Sequence, residues 1–152
     1  MINHASLFEI VMVGADDVYP LRARLLLDGD EIASRLSGDL EADTLHLGIR
    51  RDGRLVGVAS VCREDHPAFA PTGGWRLRGM AIDEPLRGLG FGRVLVRLCA
   101  NHAREHGGKT LWCTGRETAA GFYEGLGFAR DPEALTLASK PGVLFYRMWM
   151  AI

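Results

Sequence analysis

The residues whose types and spacing most directly indicate chemistry form a glycine-rich segment, Arg87-Gly88-Leu89-Gly90-Phe91-Gly92. The segment follows an apolar, extended pattern that ends near Ile82, and it precedes an amphipathic helix that we predict to run to about His106. Glycine adopts positive φ and lets a ligand approach the backbone, while the first amides of a helix are unpaired donors at the positive end of its dipole. This segment therefore predicts a site for an anionic pyrophosphate, and Arg87 adds a fixed positive charge.

The spacing of these glycines argues against two common nucleotide-binding motifs. Gly88, Gly90 and Gly92 do not follow the G-x-G-x-x-G dinucleotide fingerprint, and no G-K-[ST] sequence follows to bind a nucleoside triphosphate with magnesium. The segment does match R-x-x-G-x-G, with Arg87, Gly90 and Gly92 at the defined positions. An ordinary turn between a strand and a helix, with only a capping role, is the alternative interpretation.

A second pattern lies downstream of the glycine-rich segment. Its sequence is Ala119-Ala120-Gly121-Phe122-Tyr123-Glu124-Gly125-Leu126-Gly127-Phe128, which is typical of a short helix that leads into a strand. In this order, and separated by the strand-like residues 110–113, the two patterns resemble the R-x-x-G-x-G and A-x-x-F-Y-x-x-x-G-F blocks of the GNAT superfamily of N-acetyltransferases. A weaker resemblance extends over most of the chain.

This resemblance implies a fold and an activity. The expected fold is the α/β GNAT fold, a mixed and mostly antiparallel central sheet of about six to seven strands with helices on both faces, in a single domain over residues 1–152. The expected activity is N-acetyltransfer, in which acetyl-CoA donates an acetyl group to a primary amine that attacks it directly in a ternary complex. The sequence leaves open a catalytically silent acyl-CoA-binding or regulatory module of the same fold, and an acyltransferase that uses a different acyl-CoA donor.

The resemblance also assigns residues to the binding of acetyl-CoA. On the fourth strand, Met80, Ala81 and Ile82 are expected to pair their backbone with the pantetheine arm. Gly79 is a candidate for a bulge that parts the fourth and fifth strands, although it could equally accommodate only a neighbouring side chain. Phe122 is expected to pack against the coenzyme arm or the core. The residues expected to hold the diphosphate are Arg87, Gly88, Leu89, Gly90, Phe91, Gly92 and Arg93.

The catalytic residue that the resemblance implies is Tyr123, as the acid that protonates the coenzyme A thiolate when it leaves. The ordinary pKa of a phenol, about 10, lies above the pKa of about 8.5 of a typical thiol, so the phenol is protonated at neutral pH and donates a hydrogen bond or proton. A core aromatic residue with a satisfied hydroxyl is the alternative.

The general base is not apparent from the sequence. Many members of the family carry a glutamate on the fourth strand, whereas residues 75–82 contain no carboxylate. The candidates are a water molecule or one of five side chains near the ends of the third and fourth strands. These side chains belong to Glu64, Asp65, His66, Asp83 and Glu84.

Composition limits the class of protein. The chain has 152 residues, of which 47% are hydrophobic and 24% charged, as is typical of a soluble globular protein. The net charge of -1 argues against nucleic-acid binding, and no stretch approaches the roughly 18 apolar residues of a membrane span. Cys62, Cys99 and Cys113 show no CxxC spacing, so we expect neither a disulfide framework nor a metal site. We expect a cytoplasmic monomer or homodimer whose partner is a small-molecule or peptide amine acceptor.

Charge is distributed unevenly along the chain. Residues 76–109 contain seven Lys or Arg against three acids, and this segment includes the predicted phosphate site. Residues 28–43 contain six acids and one base, Arg35. The acidic segment could attract a cationic acceptor or could simply be a solvated surface.

Hydrophobic periodicity predicts the first elements. Residues 7–13 form a strand, and residues 18–27 form a helix that is capped by Asp16 or Asp17 and holds Pro20 in its first turn. A short second helix follows Gly29. Residues 45–50 and 55–61 form a hairpin around the Asp52-Gly53 turn.

The later elements frame the two motifs. Residues 66–74 form a loop and residues 75–82 a strand with strict alternation, in which Arg76, Arg78, Met80 and Ile82 share one face. The long helix then buries a stripe of residues, and strands are predicted at 109–113, from Phe128 and at 143–150, with a short helix at 117–125. Trp75 and Trp112 belong either to the core or to a cleft that Cys113, Thr114 and Arg116 border. The predicted stripe comprises Phe91, Val94, Leu95, Leu98, Cys99, His102 and Ala103.

Overall fold

The computed structural model describes residues 7–68 and 73–152, and its centre is one seven-stranded sheet. The strands are β1 (Phe8–Met12), β2 (Leu45–Arg51), β3 (Arg54–Arg63), β4 (Gly74–Ile82), β5 (Thr110–Arg116), β6 (Ala129–Leu137) and β7 (Lys140–Ala151). They lie in the order β1-β2-β3-β4-β5-β7-β6, and each neighbouring pair is antiparallel except β4 and β5. The predicted mixed, mostly antiparallel sheet is confirmed.

Helices cover both faces of this sheet. They are α1 (Ala15–Leu26), α2 (Phe91–Glu105) and α3 (Ala120–Gly125), with two short 3-10 helices at Glu84–Leu86 and Glu117–Ala119. Val58 and Ala59 are consecutive on β3 and therefore point to opposite faces. Val58 packs in the cluster around α1, and Ala59 packs in the larger core that includes α2.

The predicted hairpin is confirmed at β2 and β3. Asp52 and Gly53 both have positive φ, 50° and 75°. A two-residue turn with positive φ at both positions has the twist of the flanking antiparallel strands, so it sets the first two pairs, and an irregularity between Ile49 and Arg50 then shifts the register.

Two predictions between β1 and β2 are wrong. Helix α1 begins at Ala15, so Pro20 lies in its second turn rather than its first. No helix forms in residues 27–44, which make successive turns closed by i to i+3 backbone bonds. Side chains help to close these separate turns, since Asp30 accepts from the amide of Ala33 and Asp39 from the amide of Leu36.

Helix α2 buries a different stripe from the one predicted. Val94 and Leu98 are exposed, whereas Val96 and Ala100 are buried. The buried positions still recur at three- and four-residue steps, as in any amphipathic helix, but along a neighbouring row. The row comprises Gly92, Leu95, Val96, Cys99, Ala100 and Ala103.

A bulge on β4 overturns the strict alternation predicted for that strand. The register with β3 passes from Ser60 opposite Arg78 to Val58 opposite Ala81, so two residues of β4 oppose one of β3. After the bulge the faces exchange. Met80 and Ile82 pack with Leu77 on the side of α2, and Ala81 packs on the side of α1.

Strands β4 and β5 pair only at their beginning. Their parallel ladder joins residues 74–76 of β4 to residues 110–112 of β5 and goes no further. From Leu77 to Ile82, no strand in the described ranges pairs with the edge of β4 that faces β5. The two strands therefore separate, as the family resemblance implies.

Arg22 of α1 lies beneath the bulge. Its side chain is 1% exposed and binds both carboxylate oxygens of Asp39, at 2.7 and 3.0 Å. It also donates to the Ser60 hydroxyl at 2.8 Å and to the Ser34 carbonyl at 2.9 Å. A Cβ at position 79 would overlap Nε of Arg22, and Gly79 has φ of +59°. Both interpretations of Gly79 therefore hold, since it forms the bulge and accommodates a neighbouring side chain.

We expect Gly79→Ala to lower the free energy of unfolding by about 2 to 4 kcal/mol, because the new methyl group meets a buried guanidinium and residue 79 keeps a positive φ. Urea denaturation followed by circular dichroism measures this change. Gly121→Ala is the matched control, because a Cβ there meets nothing within 4 Å and α3 is helical. An unfolding free energy of Gly79→Ala equal to that of Gly121→Ala would contradict the packing described here.

Candidate active site

A cavity of about 470 Å³ occupies the gap between β4 and β5. Residues 76–80 of β4 and residues 112–116 of β5 form its two long walls. The end of α1, the turn containing Leu36, and the strands β6 and β7 close its outer side. Trp112, Cys113, Thr114 and Arg116 all line it, so the border predicted for these residues is confirmed, whereas Trp75 is fully buried in the core.

Tyr123 lies in the wall of this cavity. Its side chain packs in the core, with its ring 5.0 Å from the ring of Phe122 and 5.4 Å from the ring of Phe128. The ring also lies against Gly115 of β5, where a Cβ would come within 3.2 Å of it. Burial raises the pKa of the phenol far above its ordinary value, with smaller contributions from Cys113 and Cys99. The hydroxyl is therefore neutral at physiological pH and able to donate a hydrogen bond.

The three cysteines are buried, and none of them is paired in a disulfide. Burial raises the pKa of the Cys99 and Cys113 thiols to about 12, and Arg76 lowers that of Cys113 only slightly. A thiol that stays protonated is a weak nucleophile, so Cys113 contributes to the wall of the cavity and not to covalent chemistry.

The glycine-rich segment forms an open helix start, as predicted. Gly88 and Gly90 have φ of +83° and +90°, conformations that L residues rarely adopt. Gly90 is the N-cap of α2, no side chain of the described residues caps this end, and its first turn contains no acid. The amides at positions 91–93 thus keep the unpaired donors and the positive dipole end that an anion needs.

Side chains connect this helix start to Tyr123. A Cβ on Gly92 would lie 3.0 Å from the ring of Phe122 and 3.6 Å from Ile82, so only glycine lets α2 approach the two side chains this closely. The ring of Phe122 in turn packs edge-on against Tyr123. On the outside, Nε of Arg87 donates to the backbone carbonyl of Ile82 at 3.0 Å.

The remaining residues of the segment point in different directions. Leu89 is 64% exposed and Arg93 is exposed. The ring of Phe91 turns inward and lies 5.0 Å from the ring of Phe8. The side chain of Phe91 therefore packs against the core, and the residue contributes only its amide to the predicted phosphate site.

Of the five candidate bases, only Glu64 lines the cavity. Its carboxylate accepts a hydrogen bond from Arg76 at 2.8 Å. Asp65 instead accepts from the amide of Gly74 at 2.8 Å. Asp83 pairs with Arg24 at the surface, and Glu84 is exposed on its 3-10 helix.

His66 is buried beside the cavity wall. Its Nδ1 accepts from the amide of Ala68 at 3.0 Å, and its Nε2 lies 3.2 Å from the carboxylate of Asp131. Burial lowers the pKa of the imidazole, although the nearby Asp131 raises it in part. Its ring packs against Trp112 at 5.1 Å, which places His66 behind the wall and not in it.

The sequence of this chain is similar to a known protein family and to a curated relative. The sequence profile of the Acetyltransferase (GNAT) family matches residues 15–128. The chain belongs to this family. It is 29% identical over 138 residues to an uncharacterized N-acetyltransferase, YitI, of Bacillus subtilis (strain 168), which covers 90% of this chain and 91% of that protein.

Solved structures share the GNAT fold. An aminoglycoside 6'-N-acetyltransferase complexed with coenzyme A aligns with a TM-score of 0.74 and 16% identity, over 94% of this chain and 96% of that one. An IAA acetyltransferase from Bacillus cereus ATCC 14579 gives a TM-score of 0.71 and 17% identity, over 96% and 100%. Escherichia coli ElaA aligns with a TM-score of 0.72 and 17% identity, over 95% of this chain and 99% of that one. As a member of the GNAT family, the protein is an acyltransferase.

The described residues contain neither a metal-binding cluster nor a membrane-spanning helix. No group of His, Cys, Asp and Glu side chains there could hold a metal ion. No helix in the same ranges is long and apolar enough to cross a bilayer.

Several polar residues of this GNAT site were not singled out by the sequence. Arg76 and Arg78 line the cavity from β4, and Arg147 lines it from β7. The guanidinium of Arg76 lies 4.5 Å above the ring of Trp112, and Nη2 lies 3.5 Å from the Thr114 hydroxyl. Arg76 and Arg78 alternate on one predicted strand, and this spacing was the signal that could have placed both in the site. No pattern in the sequence indicates that Arg147 of β7 lies near them.

Proposed function

We propose that the protein is an N-acetyltransferase that transfers the acetyl group of acetyl-CoA to a primary amine by direct attack in a ternary complex. The observation that carries this proposal is the cavity between β4 and β5, which lies next to the open start of α2 through Tyr123, Phe122 and Gly92. The proposal agrees with the N-acetyltransferase name of the Bacillus subtilis relative and with the coenzyme A complex of one structural neighbour.

The backbone supplies the proposed donor site. The amides at the start of α2, with Arg87 beside them, bind the diphosphate as an anion at a helix N-terminus. The edge of β4 at Met80, Ala81 and Ile82 has no neighbouring strand on the side of β5, so the backbone groups that alternate toward this edge accept the pantetheine arm as an added strand. An amide of this edge polarises the thioester carbonyl.

Tyr123 acts as the proposed acid toward the departing sulfur. The same burial that raises the pKa of Cys113 to about 12 makes any thiolate in this wall a strong base. A neutral phenol that lines the cavity stabilises such a thiolate by a hydrogen bond or by proton transfer.

Glu64 is the proposed base for the amine. An ammonium group must lose a proton before nitrogen attacks a carbonyl, and Glu64 is the only carboxylate of the described residues that lines the cavity. Arg76 holds it through one oxygen at 2.8 Å, which orients the carboxylate toward the gap. Glu64 accepts the proton directly or through a water molecule.

The experiment that tests the function measures free thiol release from acetyl-CoA with a panel of small primary amines and peptides. We expect at least one amine to accelerate thiol release well above the rate of hydrolysis, with an acetylated amine of the expected mass. Acetyl-CoA that binds but is consumed with none of these amines would instead indicate a binding module without turnover.

We expect Tyr123→Phe to lower kcat by about 10² to 10⁴, the usual contribution of a positioned acid, with little change in the Kd of acetyl-CoA. The ring and its packing remain, so the loss reports the hydroxyl alone. Thiol release gives kcat, and calorimetry gives the Kd. Turnover equal to that of the natural protein with every acceptor would remove Tyr123 from the mechanism.

We expect Glu64→Gln to lower kcat by about 10²-fold at neutral pH and less at alkaline pH, because an amine that is already neutral needs no base. The pH profile of thiol release distinguishes this from a structural effect. Glu84→Gln is the matched control, since Glu84 was another candidate but is exposed and lies outside the cavity. Equal pH profiles for the two variants would indicate that water or another group is the base.

A further inference from the structure

The cavity between β4 and β5 is strongly basic. Among the described residues that line it, six are Lys or Arg and one, Glu64, is acidic. The chain as a whole has a net charge of -1, so this concentration is local. The basic residues are Arg22, Arg76, Arg78, Arg116, Lys140 and Arg147.

Three of these cations have partners within the protein. Arg22 pairs with the buried Asp39, Arg76 with Glu64, and Lys140 with Asp28. For Arg78, Arg116 and Arg147, no carboxylate in the described part of the chain lies within 4.0 Å. Within the described ranges, the hydrogen bonds of the Arg78 side chain go to the hydroxyl and the carbonyl of Ser37, at 3.2 and 3.4 Å. The cavity therefore contains uncompensated positive charge.

The register of the sheet brings these side chains to one face. Arg76 and Arg78 are two apart on β4 before the bulge, so they point the same way. Thr114 and Arg116 are likewise two apart on β5, and Arg147 of β7 lies directly opposite Thr114. Arg76 is paired with Trp112 across the parallel ladder, which places both groups on the same side of the sheet.

The electrostatics of the cavity favour an anion. Partial burial and the neighbouring Arg76 lower the pKa of Arg78, although the nearby Glu64, Cys62 and Asp39 raise it in part. Arginine binds carboxylate and phosphate through paired donors, and its attraction is greater in a partly desolvated cleft than in water.

The diphosphate of the donor does not account for this charge. Its proposed site at the start of α2 uses residues 87–93, and none of these residues lines the cavity. We call the side chains of Arg76, Arg78, Arg116 and Arg147 the basic face of the cavity. The basic face lies on the side of the sheet that carries α1, whereas Ile82 and Gly92 meet on the side of α2. The anion that fits the basic face is therefore part of a different molecule.

The acidic segment 28–43 does not reverse this charge. Asp39 is already bound to Arg22 inside the protein. Asp28, whose side chain is 93% exposed, pairs with Lys140 at 3.1 Å, and no acid of the segment lines the cavity. The interpretation of this segment as a guide for a cationic acceptor is not supported.

We infer that the cavity selects an amine acceptor that carries an oxyanion, a carboxylate or a phosphate, bound by Arg78 and Arg147 while its amine lies toward Glu64. This inference rests on the proposed function, because it takes the ligand of the cavity to be the acceptor. It narrows the acceptor to a class that includes amino acids and phosphorylated amines, and it excludes polyamines.

The test is calorimetric binding of matched amines to the full chain, with and without saturating coenzyme A. The probes are the twenty proteinogenic L-amino acids with their carboxamides, and O-phosphoethanolamine with ethanolamine. Each pair keeps the amine and differs in the oxyanion, and the two sets distinguish a carboxylate from a phosphate. We expect at least one member that carries the oxyanion to bind at least tenfold more tightly than the partner that lacks it, since hydrogen bonds to charged groups contribute that much or more.

Substitutions in the cavity test whether the basic face causes the preference for an oxyanion. Arg147→Gln and Arg78→Gln should reduce the preference by about tenfold each, whereas Arg54→Gln, an exposed arginine of β3 outside the cavity, should retain it. Circular dichroism verifies that each variant is folded. A preference that survives both cavity variants would overturn the inference, as would equal binding of every pair.

Different results would contradict the proposed function and the proposed preference for an oxyanion. Binding is measured without turnover, so the preference for an oxyanion is tested even if no acetyl group is transferred. Thiol release with amines that lack an oxyanion, at rates equal to those of the partners that carry one, would overturn the inference and leave the proposed function intact.

Discussion

The separation of β4 from β5 is the constraint on which the rest of the site depends. The two strands are the only parallel neighbours in the described sheet, and they pair at three positions before they part. Parting leaves backbone donors and acceptors of β4 without a ladder, which is costly in a closed core and tolerable where a cleft admits a ligand or water. The bulge at Gly79 bends β4 away, and Arg22, held by Asp39 and Ser60, fills the space beneath it.

The same bulge separates two kinds of chemistry along one strand. Before it, Arg76 and Arg78 project to the face of α1 and line the cavity. After it, Met80 and Ile82 pack on the face of α2, beside Gly92 and Phe122. The extra residue in β4 thus turns the guanidinium groups to one face of the sheet and the two apolar side chains to the other. A regular strand would have kept all four side chains on one face.

Local signals made much of the fold and part of the site predictable. The Asp52-Gly53 turn, the glycines around α2 and the block around Tyr123 each act through residues close in sequence, so their patterns survive without knowledge of the fold. The failures have long-range causes. Asp39 takes part in turns because Arg22 binds it from α1, and the alternation of β4 changes where α1 packs beneath Gly79. Helix α2 contains two apolar rows, and only packing against the sheet decides that Val96 is buried and Val94 exposed.

The distribution of charge shows most clearly that long-range contacts limit what the sequence predicts. In the sequence the acids of residues 28–43 outnumber the bases, which leaves both a guide for a cationic acceptor and a solvated surface open. Folding pairs Asp39 with Arg22 and Asp28 with Lys140, and it brings Arg78 and Arg147, which are far apart in the sequence, to one cavity. Backbone amides and glycines form the proposed donor half of this site and leave a readable motif. Side chains from separate strands form the proposed acceptor half, which therefore exists only when the sheet is assembled.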